Sequence, residues 1–402
     1  MTRPDDYDDW NLNLGQTAPR AVHVQPYDGR VNGFVFCLSV SVLTVMGLLC
    51  VYSASYPAAI ADGKVHYLYL VNQIIYTMMG MFLGIAVFLM PEKIIRTLCP
   101  VCMLSCLCIL CADFMFGKTL LLQDGSVWFV YLSFCSYLSL FFANREDGIS
   151  NIRQIIIPVC FSIAFFLLLL FLKNFTYAFV FFVMTVVMFA AGSVGIGGIL
   201  LFVIFAMVPG VCRVLSDPDR VRMLLDFAMR GDLSVTNASQ MVLRRSAFVN
   251  GSLAGKGLGL GVYKNGLING ISGEYIFCNI CEEAGLLSVF FILVLFMVVA
   301  ATVYQRAANI RLINRYFSNL ITGIATVICM RVVLNLLACV NIVPGAGIGM
   351  PFFSSGPQII VIMIECSLVL KSNRTYESPG TSVAKLSTKD VRSEVDFESQ
   401  NG

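Results

Sequence analysis

Two short stretches of this 402-residue chain gather residue types that can do chemistry. The first is Gly255-Lys256-Gly257-Leu258-Gly259-Leu260-Gly261, a glycine-rich run that carries a cation, with Lys264 just beyond it and Arg244 and Arg245 just before. Cations and open backbone N–H groups of this kind suit an anionic ligand such as a phosphate or pyrophosphate. The same charges could instead anchor the loop to lipid head groups. A Walker loop is excluded, because Lys256 is followed by Gly257 and not by Ser or Thr. The second stretch, Gly273-Glu274-Tyr275-Ile276-Phe277-Cys278-Asn279-Ile280-Cys281-Glu282-Glu283, brings three carboxylates to the mouth of an apolar run. A carboxylate at such a depth is costly unless paired or hydrated, so each is a functional candidate. Glu274 and Glu282 lie about two helical turns apart on nearly one face, and Glu283 points roughly 100° further round. Glu274, at the outermost end, is the candidate for chemistry. Glu282 and Glu283 read better as acceptors that tie the helix start to the basic loop.

The elements that must position these residues are membrane helices. Hydrophobic residues make up 58% of the chain and charged residues 13%, and the mean hydropathy is +0.81, too apolar for a soluble domain. The reading is an all-α integral membrane protein with ten spans, at roughly 31–53, 67–90, 94–114, 126–143, 154–172, 175–192, 193–212, 276–304, 316–342 and 350–370. Residues 1–30 are polar and mixed in charge, which excludes a cleavable signal peptide and leaves the first apolar run as a span. Short connections around Lys173-Asn174 and Gly192-Ser193 force antiparallel neighbours. With the N-terminus inside, the inner segments hold twelve Lys and Arg and the short outer loops only three. Both termini are therefore placed in the cytoplasm, and the long segment 213–275 outside. Within it, Ser216-Asp217-Pro218-Asp219 is a helix start leading into an amphipathic interfacial helix that carries Arg222. Residues 371–402 read as a disordered cytoplasmic tail. The fifteen cysteines lie almost entirely in apolar runs and read as small hydrophobes. The net charge of +3 carries no argument for a nucleic-acid partner.

The two chemical stretches resemble the SEDS proteins (shape, elongation, division and sporulation), which include FtsW and RodA. The family's run GKGLGNSVQK, a short turn and TDFIFAIIGEELG lie without a gap on Gly255 to Gly285. They match at Gly255, Lys256, Gly257, Leu258, Gly259, Val262, Lys264, Ile276, Phe277, Ile280, Glu282, Glu283 and Gly285. Arg222 and Gln240 fall where the family has the arginine of its RILAFL-like helix and the glutamine of its GYQ run. A second block, the family's N-x8-P and TKGLTLPFLSYG, lies on Asn335, Pro344, Gly347, Pro351, Phe352, Ser354 and Gly356. Of the early RW…QPSE motif only Trp128 remains. Val262 and Lys264 favour the FtsW-like VQK pattern. The family's catalytic aspartate is Glu274 here, its PTKG lysine is Ala346, the proline-glutamate before the catalytic turn is Asn269-Gly270, and Arg331 stands where a glutamine is usual.

The resemblance implies a glycosyltransferase that polymerises lipid II, an undecaprenyl-pyrophosphate-linked precursor, at the outer face of the bacterial inner membrane. It implies a class B penicillin-binding protein as partner transpeptidase, packed through its membrane helix against the late spans. Small residues at Ala300, Ala301, Gly323 and Ala325 offer one close-approach surface for such a helix. Glu274 would then be the catalytic carboxylate, with Lys256, Lys264, Arg222 and Gln240 as substrate contacts. Glu282, Glu283, Trp128, Asn335, Pro344, Pro351 and Ser354 would support the site. No strong metal-ligand set is present, although one outer-face divalent cation is compatible with the carboxylates. Two other readings compete: a weakened or inactive scaffold that recruits the transpeptidase, favoured by Glu274 and Ala346, and a flippase for the lipid-linked precursor.

Overall fold

The computed structural model describes residues 29–116, 124–144, 152–172, 175–229, 235–344 and 347–377. Among these residues there are twelve helices and no strand. In chain order they are α1 (Gly29–Ala61), α2 (Leu68–Leu89), α3 (Glu92–Phe116), α4 (Asp124–Ala143), α5 (Ile152–Phe171), α6 (Phe175–Ala191), α7 (Ile196–Leu215), α8 (Pro218–Ala228), α9 (Val235–Gly251), α10 (Ile276–Ile310), α11 (Arg315–Cys339) and α12 (Gln358–Glu377). Seven of them are long and apolar enough to cross a membrane, and α4 and α6 supply shorter apolar helices, Val127–Ala143 and Phe175–Ala191.

α11 is the axis of the bundle. It packs against α10, α4 and α6, and its Phe317, Leu320, Ile321, Arg331 and Asn335 are fully or almost fully buried. α12 lies mainly along α2, α5 pairs with α7, and α1 pairs with α10. Gly80 and Gly84 of α2 let α12 come close, since a Cβ at either would press on Ile360, Met363 or Ser367. The outer faces of α1, α2 and α7 are rows of exposed Val, Ile, Leu, Met and Phe, as helices facing hydrocarbon require.

Two expected boundaries move. The segment 350–370 does not begin as a helix: residues 347–357 form an irregular loop and α12 starts only at Gln358. Pro351 and Pro357 interrupt helical bonding there, and Phe352 and Gly356 have φ of 66° and 140°. The loop is nonetheless buried at Ile348, Met350, Phe352 and Phe353. Its polar backbone is served by the bundle: Asn335 Nδ2 donates to Ile348 O at 3.0 Å and Gly356 N–H donates to Gln73 Oε1 at 3.0 Å. Irregular backbone at this depth persists only when served in that way. At the other end, helix continues past 371 to Glu377, and Lys371 Nζ donates to the carbonyls of Val87, Phe88 and Met90 and caps the end of α2. Finally, the long 213–275 segment folds into α8, α9 and a structured turn-rich stretch. The connection at 173–174, Ala346 and the terminal segments 1–28 and 378–402 lie outside the described residues.

Candidate active site

The glycine-rich run is threaded through a break in α10. Gly285 sits at φ 81° and ψ 171°, which interrupts the helix and frees backbone groups above and below it. The loop supplies their partners. Lys256 N–H donates to Glu282 O at 3.0 Å and Gly257 N–H to Glu283 O at 2.9 Å, while Leu286 N–H and Leu287 N–H donate to Ser252 O and Leu253 O. Gly255 and Gly285 touch backbone to backbone, and a Cβ on either would overlap the other strand. Two glycines therefore permit this crossing, one in the loop and one in the helix.

The adjacent carboxylates fasten the rest of the loop. Glu282, fully buried, accepts from Val262 N–H at 2.8 Å and Tyr263 N–H at 3.1 Å. Glu283 accepts from Lys264 Nζ at 2.6 Å and from Ser53 Oγ of α1 at 2.7 and 2.6 Å. The expectation that Lys264 offers its charge to a substrate is corrected here. Its side chain is 4% exposed, and its ammonium is enclosed by Glu283 and Ser53. Lys256 differs: its side chain is 38% exposed, with Glu282 Oε1 3.9 Å away.

Glu274 lies at the turn that leads into α10. Its carboxylate accepts from Gly347 N–H at 2.7 Å, and its backbone is held from below by Asn335, whose Nδ2 donates to Glu274 O at 2.8 Å. Asn335 thus binds the turn and the 347–357 loop together, one amide serving both Glu274 and Ile348. Tyr275, next in the chain, has its hydroxyl pushed up by burial first and then by the Glu274 carboxylate. It therefore stays protonated beside that carboxylate. Arg244 of α9 stacks on the Tyr275 ring at 4.4 Å, and its Nε donates to Asn341 Oδ1. Gly270 leaves room beside the Glu274 side chain.

The remaining expected residues fall into three groups. Gln240 holds the loop before Glu274, donating to Leu267 O at 3.0 Å and accepting from Asn269 N–H at 3.2 Å. Ser354 is buried and lies against Gly273 and Gly349, while Pro351 is buried in the same loop and Pro344 ends the segment after α11. Trp128 is deep in the bundle: its Nε1 donates to Gln358 Oε1 at 3.2 Å and its ring lies 3.9 Å from the Arg331 guanidinium. Arg222 is exposed on α8, and among the described residues no hydrogen bond or ion pair joins it to the Glu274 turn. Phe227 of that helix, with Met241, Arg245, Phe248, Leu286 and Cys339, lines a cavity of about 900 Å³ beside the site.

Sequence reasoning missed the aromatic enclosure of Arg331, formed by Trp128, Tyr131 and Tyr177. The small residues, for which packing within the bundle stood equal to a partner surface, divide between the two. Gly323 and Ala325 are buried, and a Cβ at Gly323 would lie 2.7 Å from Cys135 Sγ and 2.9 Å from Met188 Sδ. Of that set, Ala301 is exposed. Among the described residues no group of three or more His, Cys, Asp or Glu is placed to hold a metal.

Known proteins resemble this chain in sequence and in fold. A "Probable peptidoglycan glycosyltransferase FtsW" of Borreliella burgdorferi is 26% identical over 238 residues, 59% of this chain and 64% of that protein. One of the same name from Wigglesworthia glossinidia brevipalpis is 21% identical across 84% of this chain and 92% of its own. The "Stage V sporulation protein E" of Bacillus subtilis is 23% identical across 83% and 94%. Among solved structures, one titled as the coordination of polymerization and crosslinking by a peptidoglycan synthase complex superposes with a TM-score of 0.66 over 85% of this chain and 97% of that one, at 16% identity. Thermus thermophilus RodA superposes with a TM-score of 0.59 over 84% and 95%, also at 16% identity. The fold is therefore the multi-pass SEDS membrane fold. Residues 34–377 match the Cell cycle protein family of FtsW, RodA and SpoVE, and this chain belongs to that family.

Proposed function

We propose that the chain is a peptidoglycan glycosyltransferase that polymerises lipid II at the outer face of the bacterial inner membrane, in division or elongation, beside a class B penicillin-binding protein. The observation that carries this reading is the Glu274 carboxylate, held by Gly347 N–H at the turn that leads into α10, the same helix that the glycine loop with its exposed Lys256 crosses. In the reaction, Glu274 accepts the proton of the acceptor sugar's 4-hydroxyl as that oxygen attacks the donor. Lys256 and backbone N–H groups of the loop meet the charge that gathers on the departing pyrophosphate. The carboxylate stands one methylene further from the backbone than an aspartate would. Gly270, Asn335 and Gly347 form the turn that accommodates it.

The same reading places both termini in the cytoplasm and counts ten spans, adding α4, α6 and α12 to the seven longest apolar helices. A partner's membrane helix finds its surface on the outward face of α10, where Phe290, Phe291, Met297 and Ala301 are exposed. An inactive scaffold keeps some weight from one observation, the enclosure of Lys264 by Glu283. A flippase is disfavoured because Arg331 is stacked on aromatic rings instead of lining an open path.

Purified chain with its transpeptidase, given lipid II, decides the matter. Glu274→Gln removes proton acceptance but keeps an acceptor for Gly347, so polymer formation should fall at least about a hundredfold with insertion and partner binding unchanged. Retained turnover would remove Glu274 from the chemistry. An inactive wild type would favour the scaffold.

A further inference from the structure

The N–H that meets the Glu274 carboxylate belongs to a glycine with no side chain to hold it in place. Gly347 N–H donates to Glu274 Oε1 at 2.7 Å. Its φ is 61°, a left-handed backbone that glycine adopts readily, and a Cβ built on it would meet no atom within 4 Å. Its orientation is therefore set by hydrogen bonds and not by packing. The second of these comes from α6, where Tyr177 Oη donates to Gly347 O at 3.2 Å. The next carbonyl, Ile348 O, accepts from Asn335 Nδ2 of α11 at 3.0 Å. Two successive carbonyls of the loop are thus tied to two different helices.

Tyr177 is itself built into the bundle. It is 5% exposed, its own carbonyl accepts from Tyr131 Oη of α4 at 2.9 Å, and its ring centroid lies 5.6 Å from the Arg331 guanidinium. Arg331 stands one helical turn before Asn335 on α11. One stretch of that helix therefore braces both anchors of the loop.

We propose that Tyr177 is a positioning residue for glycosyl transfer: its hydroxyl fixes the Gly347 backbone, and Gly347 N–H in turn holds Oε1 of Glu274. The proposal rests on Glu274 being the base of the proposed function. Oε2 lies on the side of Gly270, 3.7 Å from where a Cβ there would stand, and the acceptor hydroxyl approaches on that open side. Tyr177 acts through Gly347 and not on the substrate. Without the hydroxyl, Gly347 turns about its unhindered backbone, its N–H leaves Oε1, and the carboxylate spends most of its time misaligned for proton transfer. Capture of lipid II falls to the Lys256 loop and is spared.

The test is Tyr177→Phe in the purified full-length chain with its transpeptidase, a change that removes one oxygen and keeps the ring beside Arg331. In polymerisation of lipid II, kcat should fall by between about fivefold and a hundredfold, with KM unchanged. Hydrogen–deuterium exchange should quicken at the peptide that contains Gly347, with α6 and α11 exchanging as in the wild type. Introducing p-aminophenylalanine at Tyr177 returns a donor to the same place and should restore both kcat and protection. Tyr304→Phe, which removes a hydroxyl bonded to Thr326 elsewhere in the bundle at 3.0 Å, should change neither. A lost kcat with wild-type protection at Gly347, or a loss that p-aminophenylalanine does not repair, would overturn the proposal. Where Tyr177→Phe does not fold, the p-aminophenylalanine chain decides, wild-type kcat supporting the proposal and a lost one overturning it. Turnover lost in Glu274→Gln but kept in Tyr177→Phe overturns this proposal alone, whereas turnover retained in Glu274→Gln overturns the base assignment and this proposal together.

Discussion

Removing one member of the Lys264–Glu283 pair should destabilise the chain far more than removing both. The two side chains are 4% and 2% exposed, and the ammonium and carboxylate meet at 2.6 Å. Solvent screening is therefore small, and loss of one partner strands a buried charge at a cost of about 3–5 kcal/mol. At 1.4 kcal/mol per decade this is a shift of roughly 10² to 10⁴ in the folding equilibrium. Ser53 tempers the loss only in part. In Lys264→Met its hydroxyl still donates to Glu283, but a neutral donor does not replace the ion. In the double variant Lys264→Met with Glu283→Leu no charge remains, and the cost should fall below that of either single change. The measurement is a double-mutant cycle on equilibrium unfolding in mixed micelles, with coupling expected at about 2 kcal/mol or more. Single variants that each cost under about 1 kcal/mol and add independently would show a hydrated, surface-like pair and refute the reasoning.

Three further outcomes follow from the same geometry. Gly285→Ala places a methyl group against the Leu253 carbonyl at a backbone φ of 81°; it should lower the thermal midpoint and expose loop 251–257 to protease, and an unperturbed midpoint would mean that the crossing relaxes easily. Lys256→Ala, at a half-exposed cation, should weaken lipid II binding about tenfold while leaving expression unchanged, as one charge-assisted contact is lost; unchanged affinity in a folded protein would assign this lysine to lipid anchoring. Gly323→Leu should destabilise the isolated chain by overpacking against Cys135 and Met188, a change costing about 1–3 kcal/mol or more; loss of partner co-purification without loss of stability would return this residue to an interface.

Much of the bundle is legible in the sequence because membrane spans announce themselves locally. A run such as 68–89 needs no knowledge of its neighbours to be read as a helix, since unsatisfied backbone forbids the alternatives in hydrocarbon. The same argument fails at 347–357. That stretch is as apolar and as buried as a span, yet it is a loop, and its donors and acceptors are met by Asn335 and Gln73 from elsewhere in the chain. The partners of Glu283 show the same limit. The tie between Glu283 and the basic loop is legible, but Ser53, the other partner of Glu283, is 230 residues away and has no local signal. Gly285 did carry a readable signal, a glycine inside an apolar helix directly after two carboxylates, and it marks the break. The placement of Glu274 at the mouth of the bundle follows from its position before the span. Its grip by Gly347 depends on two segments that only the folded bundle brings together.

The break at Gly285 divides α10 mechanically. Above it, Glu282 and Glu283 are bonded through Lys256 and Gly257 to the loop, and the Glu274 turn that precedes the helix is bonded through Asn335 to the bundle axis. Below it, the donors of Leu286 and Leu287 end on Ser252 and Leu253 instead of on the preceding helical turn. A load applied to the exposed lower face of α10 at Phe290, Phe291 or Met297 therefore has a second route besides the covalent chain. It is delivered sideways, through two backbone hydrogen bonds, to the end of α9 and the start of the glycine loop. The glycine pivot thus ties the lower arm of α10 to the backbone that leads into Lys256.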